Sequence, residues 1–239
     1  MTHPFPILRQ VVIGARDLEA TSRELREAFH LEPGFPDPLL EEMHLADETI
    51  PVGPQAHLEL VGPLNEKASI NAWLDRVGGT AGYCVSVQVP DLDPHLEAIE
   101  AAGVRLAIQA EAYGRRIVQL HPGDMGLLVE LDEIPNADEW FWDHLEHPPS
   151  PDPYIDDVVA VDLATPDPQA RAERWAAVFR VPVLEKDGVP IVELGSRTVR
   201  FVHDERPRMS AIDVHATAAG ADLPEEIDLG QVTLRVLKD

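Results

Sequence analysis

Two carboxylates at matching places in a repeated pattern have the clearest capacity for chemistry in this chain. Glu59 sits in HLELV and Glu130 in LVELD, 71 residues apart. Both segments read as strands. Two carboxylates in one partly dry site repel. One then keeps its proton to higher pH and becomes a usable proton carrier. The plainer reading is that each binds a neighbouring amide or arginine.

Strand alternation adds neighbours, because side chains two apart on a strand share a face. His57 therefore joins Glu59. PGDMG (Pro122 to Gly126) reads as a hairpin turn whose register sets Gln119 opposite Glu130 and His121 opposite Leu128. Gln119 and His121 then point the same way as Glu130. On the first strands Gln10, Val12 and Gly14 share one face, and Cys84, Ser86 and Gln88 the corresponding one. Buried polar groups need water, a ligand or each other. His57, Ser86, Gln88 and Gln119 are thus expected to line a binding site. Arg115-Arg116 stands at its mouth, and Arg115 could hold a substrate carboxylate bidentately. Such a pair also reads as a solvated edge, since only one of two adjacent strand residues can face inward.

The elements that would position these residues are legible as repeats. QVVIGARD (Gln10 to Asp17), CVSVQVPD (Cys84 to Asp91) and AVDLATPD (Ala160 to Asp167) are apolar strands ending in Asp. A helix-patterned stretch follows each, as Asp favours the N-cap. Later strands repeat a core position at Glu59, Glu130 and Phe201. The last repeat is abbreviated to SAIDVHA (Ser210 to Ala216) and QVTLRVL (Gln231 to Leu237). Each full repeat reads β-α-β-β-β, so the class is α+β. Helices are expected over 17–29, 65–78, 93–102 and 168–180. Strands are expected near 41–50 and 55–62. Residues 135–154 form a Pro-rich linker whose Trp140, Phe141 and Trp142 dock by packing.

The 239 residues can bury a real core. The formal charge is -24, with 43 acidic residues against 19 basic. That disfavours nucleic acid and anionic membrane surfaces as partners. Cys84 is the only cysteine, which leaves no intramolecular disulfide and no cysteine-based zinc cluster. No run approaches the roughly 18 apolar residues of a membrane span. A cytoplasmic, acidic protein is expected, monomeric or homodimeric, with a small-molecule ligand.

LRQVVIGARDLEAT, AHLELVGPL, GGTAGYCVSVQVPDLD and RRIVQLHPGDMGLLVELD together resemble the vicinal oxygen chelate superfamily, which includes glyoxalase I, bleomycin-resistance proteins and extradiol dioxygenases. GGTAGYCVSVQVPDLD with its HPGDMG turn also resembles a glyoxalase-like subgroup. The resemblance implies tandem β-α-β-β-β units paired into curved sheets around a cleft. It implies a glyoxalase-like domain over 1–134, a linker over 135–154 and a degenerate, truncated domain over 155–239. It places ligands on the first and last strands of each unit, here Gln10, Glu59, Cys84 and Glu130. Cys84 departs from the usual histidine. A substitute set for a divalent metal is Gln10, Glu59, His121 and Glu130, and a hydrogen-bonded cleft without metal is the other reading. In the third and fourth repeats Phe201 and Arg235 take the glutamate position. The implied activity is of isomerase or lyase type, by enolate or oxyanion stabilisation, with Glu59 and Glu130 catalytic. The alternative is a metal-free small-molecule binding or drug-sequestering protein.

Overall fold

In a computed structural model, residues 5–142 and 150–238 are described. The stretch 143–149 of the expected linker lies outside them. The first repeat holds β1 (Ile7–Gly14), α1 (Leu18–Phe29), α2 (Pro38–Glu42), β2 (Leu45–Val52) and β3 (Ala56–Pro63). The helix α3 (Ile70–Val77) leads to the second repeat: β4 (Ala81–Val89), α4 (Asp93–Ala101), β5 (Leu106–Ala112), β6 (Arg115–Leu120), α5 (Pro122–Met125) and β7 (Leu128–Glu133). The third has β8 (Ile155–Thr165), α6 (Pro168–Phe179), β9 (Leu184–Lys186), β10 (Val189–Leu194) and β11 (Arg197–His203). The fourth has only β12 (Arg208–Ala216), β13 (Glu226–Asp228) and β14 (Thr233–Leu237). The class is α+β with tandem β-α-β-β-β repeats.

The repeats share one construction. The first strand pairs in parallel with the last: β1 with β3, β4 with β7, β8 with β11 and β12 with β14. A parallel pair needs a crossover, and α1, α4 and α6 supply it in the first three repeats. Asp17 and Asp167 cap α1 and α6 through their side chains, as the Asp-ended strands led us to expect. Leu25 and Phe29 bury the apolar face of α1. Trp175 and Phe179 do so for α6, where Trp175 meets Phe201 edge-on at 5.7 Å. Two local expectations differ. Pro38, whose ring suits a first helical turn, starts the short α2 just behind Asp37, so the strand begins only at Leu45. PGDMG closes as the one-turn α5 for the same reason, with His121 as its cap.

The described chain divides into two compact units. The first takes 5–9, 84–142 and 160–209, hence the second and third repeats. There α4 meets α6, where buried His95 Nδ1 donates to Val178 O at 2.9 Å. Trp175 Nε1 donates to Met125 O at 2.9 Å. Buried Arg9 anchors the Pro-rich segment of this unit, donating to Ala137 O and lying 5.6 Å from the Trp140 ring. Phe141 and Trp142 pack with Tyr113.

The second unit takes 10–83, 150–159 and 210–238, hence the first and fourth repeats. Tyr154 N donates to Phe29 O, and Gln231 N to Thr80 O, both at 2.9 Å. His30 stacks on Tyr154 at 5.1 Å. Gly53, at the β2–β3 turn with φ +71°, lies against Asp156; a Cβ there would stand 1.9 Å from Asp156 O. Gly53→Ala is expected to lower the urea midpoint by an amount worth about 1–3 kcal/mol, from left-handed strain and overpacking together.

Candidate functional site

In the second unit, strand register gathers a polar face. Antiparallel β2 and β3 set Thr49 opposite Glu59 and Asp47 opposite Val61. Parallel β1 and β3 set Gln10 beside His57 and Val12 beside Glu59. Paired residues share a face, so Gln10, Asp47, Thr49, His57 and Glu59 lie together. The helix α1 covers the opposite face, where Ser22 bonds Glu48. Trp73 of α3 lies against the end of β1 on the polar side: a Cβ on Gly14 would stand 2.5 Å from its ring.

Four of these groups are almost wholly buried. Gln10 Nε2 donates to Glu59 Oε2 at 2.6 Å. Thr49 is 1% exposed, and its Oγ1 has no hydrogen-bond partner among the described residues. Asp47 is 8% exposed and accepts from Asp37 N through both oxygens, at 3.0 and 2.9 Å. Burial pushes its carboxyl up to about 7; the Asp37 N–H opposes this, and the charges of Asp37, Glu48 and Glu41 reinforce it. No cation pairs with Asp47 among the described residues. Asp47 and Thr49 escaped the sequence reading. Their signal was the alternation Leu45, Asp47, Thr49, interpretable only once β2 is set opposite Glu59.

The first unit carries the other expected residues. Gln119 pairs with Glu130 as expected. Its Nε2 donates to Glu130 Oε2 at 2.7 Å, while Ser86 Oγ donates to Oε1 at 3.3 Å. Glu130 is half-buried, and Ile108 stands exposed directly across from Gln119. Arg115 falls on the Gln119 face but pairs with Glu139 at 3.4 Å. Gln88 is fully buried. Its Nε2 donates to Ile134 O and Asn136 O, and its Oε1 accepts from Arg9 Nε at 2.6 Å. Cys84 is buried and its thiol donates to Val85 O at 3.5 Å.

In the C-terminal repeats the same register position holds ion pairs. Ser86 pairs with Glu130 across β4 and β7, as Asp162 pairs with Arg200 and Asp213 with Arg235. Arg200 Nε donates to Asp162, and Arg235 Nε to Asp213 Oδ1 at 2.7 Å. Arg200, not Phe201, is thus the counterpart of Glu130. A one-residue offset turns a side chain to the other face, which is why Phe201 is in the core.

A divalent metal needs several donors converging on one point. Gln10 and Glu59 belong to the second unit; His121 and Glu130 belong to the first. His121 Nδ1 accepts from Gly123 N at 3.1 Å, capping α5. Among the described residues no three His, Cys, Asp or Glu side chains form a group that could hold a metal. The residues present do not fit the implied ion.

No protein-family model matches the chain, and no curated protein matches it. A crystal structure of a hypothetical protein from Staphylococcus aureus matches 99% of this chain and 100% of its own, with TM-score 0.71 and 10% identity. That likeness shows a shared fold. A Streptomyces coelicolor methylmalonyl-CoA epimerase variant in complex with 2-nitronate-propionyl-CoA aligns over 54% of this chain and 98% of its own, at 24% identity and TM-score 0.48. The Mycobacterium tuberculosis methylmalonyl-CoA epimerase aligns over 53% and 86%, at 26% identity and TM-score 0.47. No helix among the described residues is long and apolar enough to cross a membrane.

The raised Asp47 carboxyl makes stability depend on pH. Folded Asp47 keeps its proton to about pH 7, whereas the unfolded chain releases it near 3.8. Its favourable contribution is full below the unfolded value and is lost as pH rises to about 7. Asp47→Asn can still accept from Asp37 N but cannot ionise. The melting temperature of the variant minus that of the parent should therefore climb between pH 4 and 7 and level off above. The gain corresponds to on the order of a few kcal/mol.

Proposed function

We propose that this protein belongs to the vicinal oxygen chelate superfamily and is a small-molecule enzyme of isomerase or lyase type. It moves a proton at a carbon next to a carbonyl, at the polar face of the second unit. The observation that carries this reading is Asp47, a buried carboxyl that exchanges its proton near neutral pH beside an unpartnered hydroxyl. A general base works best when its pKa lies near the working pH.

Asp47 in its ionised form takes the proton from the substrate carbon. The carbon–hydrogen electron pair moves into the carbonyl, and the oxygen becomes an enolate oxyanion. Thr49 Oγ1 donates to that oxygen, a hydrogen bond that strengthens as charge develops. Delivery of a proton from a second acid to the opposite face of that carbon inverts it and completes an isomerisation, and Asp47 gives up the abstracted proton to water. Glu59, held by Gln10, is the second carboxylate of this face. In the first unit Glu130, oriented by Gln119 and Ser86, is proposed for the same kind of work, with Ile108 as an apolar wall.

The test is deuterium exchange. The protein is incubated in heavy water with a panel of 2-hydroxycarbonyl compounds and 2-branched acyl thioesters, and label at the carbon is read by NMR. Exchange with at least one compound is expected, rising with pH through about 7. Asp47→Asn should slow it by about a hundredfold or more, and Thr49→Val by less. Label that enters equally in Asp47→Asn would overturn the role of Asp47. Saturable binding without exchange across the panel would favour the binding-protein reading.

A further inference from the structure

We propose that Arg171 and Arg174 form an oxyanion site on the first unit that takes a phosphate or carboxylate group of a small molecule. Both arginines lie on α6 three residues apart and so point to one side of the helix. Both donate to the same backbone oxygen, Asp124 O, through Nη1, Arg174 at 3.1 Å. Neither has a carboxylate partner among the described residues. The Asp124 carboxylate is committed to Arg105, which approaches through Nε at 2.9 Å, Nη2 at 2.8 Å and its backbone N at 3.0 Å. The neighbouring Glu173 accepts from Gln169 at 2.8 Å.

Two guanidinium groups on one carbonyl oxygen repel each other. Arg171 is also half-buried, and burial first, then the Arg174 charge, makes its ionised form less favourable, while the Asp124 charge opposes them in part. In a chain with 43 acidic and 19 basic residues, partners for arginine are plentiful. A pair that no carboxylate bonds directly among the described residues is therefore a specific arrangement. Each guanidinium carries five N–H donors in a planar fork, and one carbonyl oxygen engages only one from each. The remaining donors suit an oxyanion, which would cancel the repulsion and accept charge-assisted bonds.

The site is built on a fixed frame. Trp175 Nε1 ties α6 to Met125 O at 2.9 Å. Gly126 follows at φ +95°, and a Cβ there would stand 3.6 Å from Arg171 Cζ and 3.3 Å from Leu163. A side chain on Gly126 would thus touch the guanidinium. This site does not depend on the proton-transfer reading, which uses Asp47 in the second unit and Glu130 in the first.

The experiment titrates the full chain with inorganic phosphate, and separately with succinate, against chloride at equal ionic strength. Calorimetry and the melting temperature are read. A saturable response to phosphate or succinate beyond chloride is expected; whichever saturates names the group. Arg174 is exposed, so Arg174→Gln should keep the fold, as circular dichroism will check. It should weaken binding by about tenfold or more. Arg174→Lys keeps the charge without the fork and should fall between. Responses no larger than chloride, or equal in the parent and both variants, would overturn the proposal.

Discussion

The parallel pairing of each repeat's first strand with its last decides which side chains meet. A strand turns alternate residues to opposite faces, so the register of that one pairing sorts every residue in the repeat. One face goes to the crossover helix and becomes core, as with Phe201 against Trp175. The other gathers polar groups at a single level: Glu59 beside Val12, Glu130 beside Ser86, Arg200 beside Asp162 and Arg235 beside Asp213. The same geometry thus presents two glutamates and two ion pairs. Each compact unit holds one of either kind, because the first repeat shares a unit with the fourth and the second with the third.

Charged groups on these faces are stabilised in different ways, and the difference separates structural from reactive positions. Asp162 and Asp213 are each met by an arginine across the parallel pair. Glu130 accepts from an amide and a hydroxyl, partners that orient a carboxylate. Among the described residues Asp47 accepts from one backbone N–H, shared by both oxygens, and burial lifts its carboxyl to about 7. A buried carboxyl held so thinly is a poor stabiliser and a good proton carrier. Gln88 lies at the other extreme: both its amide hydrogens and its oxygen are bonded to the chain. Together with Arg9 it seats the segment around Trp140, so its polarity serves packing.

Much of this was legible in the chain. Repeated Asp-ended strands gave the β-α-β-β-β units and two of the helix caps, because capping is local chemistry. The hairpin register that sets Gln119 against Glu130 could be read from alternation around PGDMG, and the structure has that pairing. The Gln10, His57 and Glu59 face was readable for the same reason, since adjacency two apart on a strand needs only the strand.

What the sequence by itself determined was therefore the repeat, its class and the polar character of its inner face. Those follow from periodicity and local propensity. The tertiary structure decided which repeats share a compact unit, and so put Gln10 and Glu59 in one and Glu130 and His121 in the other. It alone showed that Asp47 is buried deeply enough to hold its proton near neutral pH. It alone showed that Arg171 and Arg174 converge on Asp124 O from 47 and 50 residues away. Desolvation and long-range convergence depend on how distant segments pack, and no local pattern in the chain encodes them.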